Sequence, residues 1–146
     1  MNRHMQSILA MVGVILLATG AAAAQAPAGG TAKPRLVAPV RGVAPIAYTK
    51  PAVKRGKQDG REFITTTFQV KSSAAAPIAR FTVEEFWYDK AGNPVSGDRF
   101  VYPKPLQPGE VITITLNTPV NPKMDRNSYK FSHANGDIKP TMSPKL

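Results

Sequence analysis

Residues 78–93, IARFTVEEFWYDKAGN, constrain the fold more than any other stretch. They carry the sole tryptophan, three further aromatics and a sharp turn. Phe81, Val83 and Trp87 fall at odd positions, Phe86 and Tyr88 at even ones. The pattern is a long strand that begins apolar on one face and ends apolar on both. Such a strand belongs among other strands, packed on either side. Asp89-Lys90-Ala91-Gly92-Asn93 breaks it, because Gly and Asn tolerate the positive φ of a tight turn. Glu84 and Glu85 are adjacent on the strand, so their carboxylates point to opposite faces and cannot share a substrate. Glu85 also occupies a position where the register calls for an apolar residue. A bulge there would turn it to solvent and account for Phe86 and Tyr88 taking over as the apolar pair. Otherwise it faces the core and needs a basic partner. The bulge explains more of the pattern.

Around this strand the chain alternates and turns repeatedly. In residues 63–71, Ile64, Thr66, Phe68 and Val70 form one face and Thr65, Thr67, Gln69 and Lys71 the other. Pro77 lacks a ladder donor and marks the entrance to the next strand. After the turn, residues 94–95 and 98–102 form a weaker strand interrupted by Gly97, read as an edge or a crossing between sheets, and Pro103 and Pro105 stop it. Leu106-Gln107-Pro108-Gly109-Glu110 places Pro and Gly as a type II turn requires. Residues 111–117 send Ile112, Ile114 and Leu116 inward. A loop over 118–127 leads to a strand at 128–134 with Tyr129, Phe131 and His133 on one face. Asn135-Gly136 is a strong hairpin signal, returning 137–142 beside that strand. Six or seven short strands without a helix make an all-β, single antiparallel β-sandwich over residues 46–142, with 143–146 frayed.

The chain ahead of this domain has another character. Arg3 and His4 precede an apolar run and then Ala22-x-Ala24, the order of a secretory signal peptide over 1–24 cleaved after Ala24. At 17 residues, the span 8–24 lies at the lower limit for a membrane anchor. Residues 25–45 are rich in Pro, Ala and Gly and read as a disordered spacer. Ile46, Ala47 and Tyr48 are left open as a first strand. Loss of 1–24 removes one base, Arg3, and leaves 18 Lys and Arg against 9 Asp and Glu, a charge of +9. That balance admits anionic polymer, lipid or nucleic acid as a partner. Lys50, Lys54, Arg55, Lys57 and Arg61, with Asp59 the one acid in residues 50–61, read as a basic, anion-binding loop broken by Gly56 and Gly60. As a polyanion surface it would have to act with Lys71, Arg80, Lys123, Arg126 and Lys130. With no cysteine, thiol chemistry, thiolate metal sites and disulfide staples are excluded, and packing must hold the domain.

Catalytic patterns are sparse. His133, the one histidine after the signal peptide, reads as a packed or rim residue, with Asp137 across the hairpin as a hydrogen-bond candidate. Met124 and Met142 with His133 lack the clustered spacing of a copper site. Asp89-x-x-Gly92-Asn93 lacks the alternating carboxylates and final Glu of a calcium loop. No cofactor, metal or enzymatic activity is expected.

Trp87-Tyr88-Asp89, the turn Lys90-Ala91-Gly92-Asn93 followed by Pro94-Val95, and Leu106-Gln107-Pro108-Gly109-Glu110 ahead of a Thr/Ile strand together resemble the FxLYD-type domains of bacterial exported proteins. The resemblance spans about residues 61–117 and departs from the naming motif, with Glu85 where Phe is expected and Trp87 where Leu is expected. It implies an immunoglobulin-like sandwich and an accessory, non-catalytic interaction module, and carries no functional residues across. The expectation is therefore an exported protein, periplasmic or extracellular, whose partner is another envelope or cell-surface protein. It would meet a membrane only transiently, through the signal peptide. An unpaired edge at Arg99, Phe100, Val101 and Tyr102 is the candidate contact. A basic binder of anionic envelope polymer, lipid or nucleic acid is the alternative.

Overall fold

The computed structural model describes residues 36–146, so the expected signal peptide and the spacer up to residue 35 lie outside the described residues. Eight strands and no helix make up the described residues: β1 Ala44–Tyr48, β2 Ala52–Gln58, β3 Arg61–Ser72, β4 Thr82–Tyr88, β5 Pro94–Val101, β6 Val111–Pro119, β7 Arg126–His133 and β8 Gly136–Met142. They form one curled mixed sheet in the order β2-β3-β1-β8-β7-β4-β5, with β6 also paired to β3. The alternating run of β3 is its spine. The first half of β3 pairs with β2 and its last three residues with β1, while β6 runs along nearly its whole length.

The inward residues close the curl. Phe68, Val70, Phe81, Val83, Ile112, Ile114 and Leu116 are buried together, with Ile46, Ile78 and Leu106. Each fully buried large side chain contributes about 2 kcal/mol. Phe131 of β7 lies across from β3 and β1, its ring centroid 6.2 Å from that of Phe68 and 5.2 Å from that of Tyr48.

Several expectations are corrected. One pairing is parallel, not antiparallel: β8 leaves β7 after two residue pairs and runs beside β1 for five, from Ala44↔Ile138 to Tyr48↔Met142. The incoming chain explains it. Gly42 N–H donates to Asn135 O and Val40 N–H to Pro77 O, which lays β1 along β8. Residues 40–45, read as the end of a free spacer, are thus tied to the strands. Gly136 opens β8 instead of ending its turn, which is formed by Ala134 and Asn135. A side chain at Gly136 would collide with the Gly42 backbone. The strand expected to start at Ile78 begins at Thr82, because Arg80 is in the left-handed region (φ 51°). Ile78 makes only an isolated bridge to Leu106. The turn at Pro108-Gly109 forms as read, with Gly109 at φ 73° and Glu110 N–H bonded to Gln107 O at 3.0 Å.

Candidate functional site

Residues 50–61 are not a loop. Ala52–Gln58 is strand β2, and Asp59-Gly60 is a two-residue turn with φ 50° and 79°, the pair of positive angles of a type I′ hairpin. The charge run hid the strand, since all seven residues of β2 are exposed and none shows an apolar face. Among the described residues β2 pairs with β3 alone, so its other edge is open. Lys54, Arg55 and Lys57 are on β2, Arg61 opens β3, and Lys50 precedes β2. Among the described residues the ion pairs are Arg99–Glu84 at 3.8 Å and Lys104–Glu110 at 3.1 Å, so the five hairpin cations have none. Lys71 is on β3 but beyond the part that pairs with β2, opposite Ala47 of β1, and Arg80, Lys123, Arg126 and Lys130 are on neither strand of the hairpin. Lys123 is in the loop before β7, and β7 carries Arg126, beside the Tyr88 ring at 6.0 Å, and Lys130.

The second candidate edge is β5, which among the described residues pairs only with β4. Arg99, Phe100 and Val101 end it, and Tyr102 follows, its N–H bonded to Phe81 O. Much of this edge is occupied. Ser96 Oγ donates to Pro119 O at 2.6 Å, Asn117 N–H donates to Asp98 Oδ2 at 2.7 Å, and Asn121 Nδ2 donates to Val95 O at 3.2 Å. The Tyr102 hydroxyl donates to Glu110 Oε1 at 2.6 Å. The Gln107 amide and then the Tyr102 hydroxyl hold the Glu110 carboxyl down to about 2, and the bond to Glu110 raises Lys104 above its ordinary range.

Glu85 faces the core, as the second reading had it, but without the basic partner that reading required. β4 runs in unbroken register with β7 through Glu85↔Tyr129, and the one irregularity against β5 falls between Trp87 and Tyr88. Glu85 therefore points inward and is buried, 1% exposed. No cation meets it. Thr66 Oγ1 donates to Oε1 at 2.8 Å, Thr118 Oγ1 to Oε2 at 2.5 Å, and Asn127 Nδ2 to Oε1 at 3.1 Å. These donors substitute for water around the carboxylate. Beside it, burial and then the Glu85 charge push the Tyr129 phenol up to about 12. Polar residues at inward positions of β3 and β6, Thr66 and Thr118, were the available signal. The next inward residue, Trp87, has its indole Nε1 buried without a partner among the described residues.

His133 is likewise committed. Its Nε2 is 2.8 Å from Gly42 O, and Asn135 N–H donates to its Nδ1 at 3.3 Å, so the incoming chain takes the place proposed for Asp137. Met124 sulfur accepts from Asn121 N–H, and Met142 is exposed at the end of β8. Asp89 accepts from Asn93 N–H at 2.8 Å, which holds its carboxyl below the usual range and fastens the β4–β5 turn. Among the described residues no group of three or more His, Cys, Asp or Glu is placed to hold a metal ion, and no helix is long and apolar enough to cross a membrane. Compared with protein families, curated proteins and solved structures, the chain matches none.

Proposed function

We propose that the chain is an exported, non-catalytic binding module of the immunoglobulin-like sandwich kind, FxLYD-like, which contacts another envelope or cell-surface protein through the β2–β3 hairpin. One observation carries the reading: β2 is exposed along all seven residues, has one open edge, and bears cations without ion pairs among the described residues. Two further features favour binding over catalysis. The buried carboxylate commits both oxygens to Thr66, Thr118 and Asn127, and His133 commits both ring nitrogens to the Gly42–Asn135 segment. The Arg99–Tyr102 edge is the secondary contact, since β6 already takes up the other end of β5.

The charge of the hairpin favours a second reading, in which the ligand is an anionic polymer or lipid surface and charge alone does the work. Binding of the chain to heparin-like polymer, nucleic acid and anionic vesicles across a salt series tests both. A variant with Lys54, Arg55 and Lys57 changed to Gln runs alongside. Loss of about two to three units from the slope of log K against log salt assigns binding to the hairpin. An identical slope in the variant removes the hairpin from either reading.

A further inference from the structure

We propose that the open edge of β2 accepts an extended acidic segment of a partner protein as an added antiparallel strand, with carboxylates at alternate positions facing Arg55 and Lys57. The inference rests on the hairpin being the binding face and adds the backbone shape and charge pattern of what binds there.

Hydrogen-bond parity on β3 shows which groups are unspent. Glu62 O accepts from Val120 N–H, and Ser72 bonds Gly109 and Glu110, so even residues of β3 face β6 and its approach. Gln69 O accepts from Thr49 N–H, so odd residues face the β1–β2 side. Their partners across the hairpin are Gln58, Gly56, Lys54 and Ala52. In an antiparallel pair such residues exchange both backbone bonds, and the intervening ones turn theirs away. Val53, Arg55 and Lys57 therefore direct N–H and C=O outward. These are six backbone groups on a strand about 23 Å long.

The side chains define the occupant. Val53, Arg55 and Lys57 share the face of Thr66, Ile64 and Glu62, while Lys54 projects from the other face beside Thr65. Lysine on an edge strand ordinarily repels added strands, but that repulsion depends on the newcomer's sign. A second copy of β2 would set Arg55 and Lys57 against like charges, which is unfavourable directly across a pair. An acidic strand meets attraction at the same positions. In antiparallel sense, the more stable of the two, the partner reads Glu-x-Glu-x-Val. Its first residue opposes Lys57, its third Arg55, and the Val opposes Val53.

The test uses the 146-residue chain and two labelled peptides of equal composition. Thr-Glu-Thr-Glu-Thr-Val-Thr puts both carboxylates on one face, whereas Thr-Glu-Glu-Thr-Thr-Val-Thr splits them between faces. The first should bind at least 5-fold tighter by fluorescence anisotropy, and N-methylation of its second Glu should remove most of that binding. Arg55→Gln removes the charge. Arg55→Pro removes the charge together with an outward N–H that β3 does not use, a change edge strands tolerate. Binding should fall a further 5-fold or more from Arg55→Gln to Arg55→Pro, with circular dichroism unchanged. The N-methyl peptide gives the same answer without altering the protein. Equal binding of both peptides, indifference to N-methylation, or concentration-dependent dimers formed through β2 would overturn strand addition. If polymer binding through the hairpin persists in those cases, the binding-module reading survives its own test. If the triple-Gln variant leaves polymer binding unchanged and neither peptide binds, both fail.

Discussion

β2 and β5 both end the sheet, and they end it in opposite ways. β5 is drawn against β6 by short polar side chains: Ser96 and Asp98 reach the β6 backbone, and Asn121 reaches back to Val95 O. Its glycine is equally committed, since a Cβ on Gly97 would lie 2.4 Å from Glu85 O. β2 has long cationic side chains instead, and a Cβ on Gly56 would meet nothing within 4 Å among the described residues. A serine or aspartate spans one strand spacing with little entropy to lose, whereas lysine and arginine lose more when held. Side-chain length thus separates an edge that is sealed from one that is kept open.

The largest test of this contrast is the glycine pair. Gly97→Ala should cost about 3 kcal/mol in denaturant unfolding, because backbone must move to admit the methyl. Gly56→Ala should be neutral or stabilise by up to about 1 kcal/mol through a less mobile unfolded chain. Equal effects would mean that β5 is no tighter than β2. Next, Asp98→Ala should cost about 1.5 kcal/mol by stranding the Asn117 N–H, and hydrogen exchange at that amide should accelerate.

The Glu110 cluster gives a smaller, pH-dependent effect. Its folded carboxyl is lowered from 4.5 to about 2, so the stabilisation is present above pH 4.5 and lost as pH falls toward 2. Lys104 is raised, so its share is present below its ordinary value of 10.5 and lost above it. Screening at this surface leaves about 1 kcal/mol for Glu110, and Glu110→Gln should flatten the acid limb of the stability curve by that amount. Smallest of all, Lys54, Arg55 and Lys57 changed together to Gln should alter stability by less than about 0.5 kcal/mol at neutral pH. A larger loss would show that these cations hold the fold.

Elements with one wet and one dry face were readable from sequence. β3 and β6 alternate because one face is buried, and the Pro108-Gly109 turn follows from φ preferences alone. β2 was not readable, because a strand wet on both faces leaves no period-two signal. Its turn signal, Asp59-Gly60, sat inside a charge run, while Asn135-Gly136 attracted the assignment one residue away from the real turn. For Glu85 the inward face was one of two readings, but its partners were out of reach. Its donors lie 19, 33 and 42 residues along the chain, so only tertiary structure brings them together. The parallel β1–β8 pair is equally non-local, joining the first and last strands.

That parallel pair has a mechanical consequence. Tension pulling the chain ahead of Val40 away from the end of β8 would load the five β1–β8 pairs together, in shear, instead of opening them one at a time. The bonds from Gly42 to Asn135 and His133 would take the strain first. Single-molecule pulling through the two ends should therefore require more force than pulling across the β2–β3 hairpin, which unzips one pair at a time toward its turn.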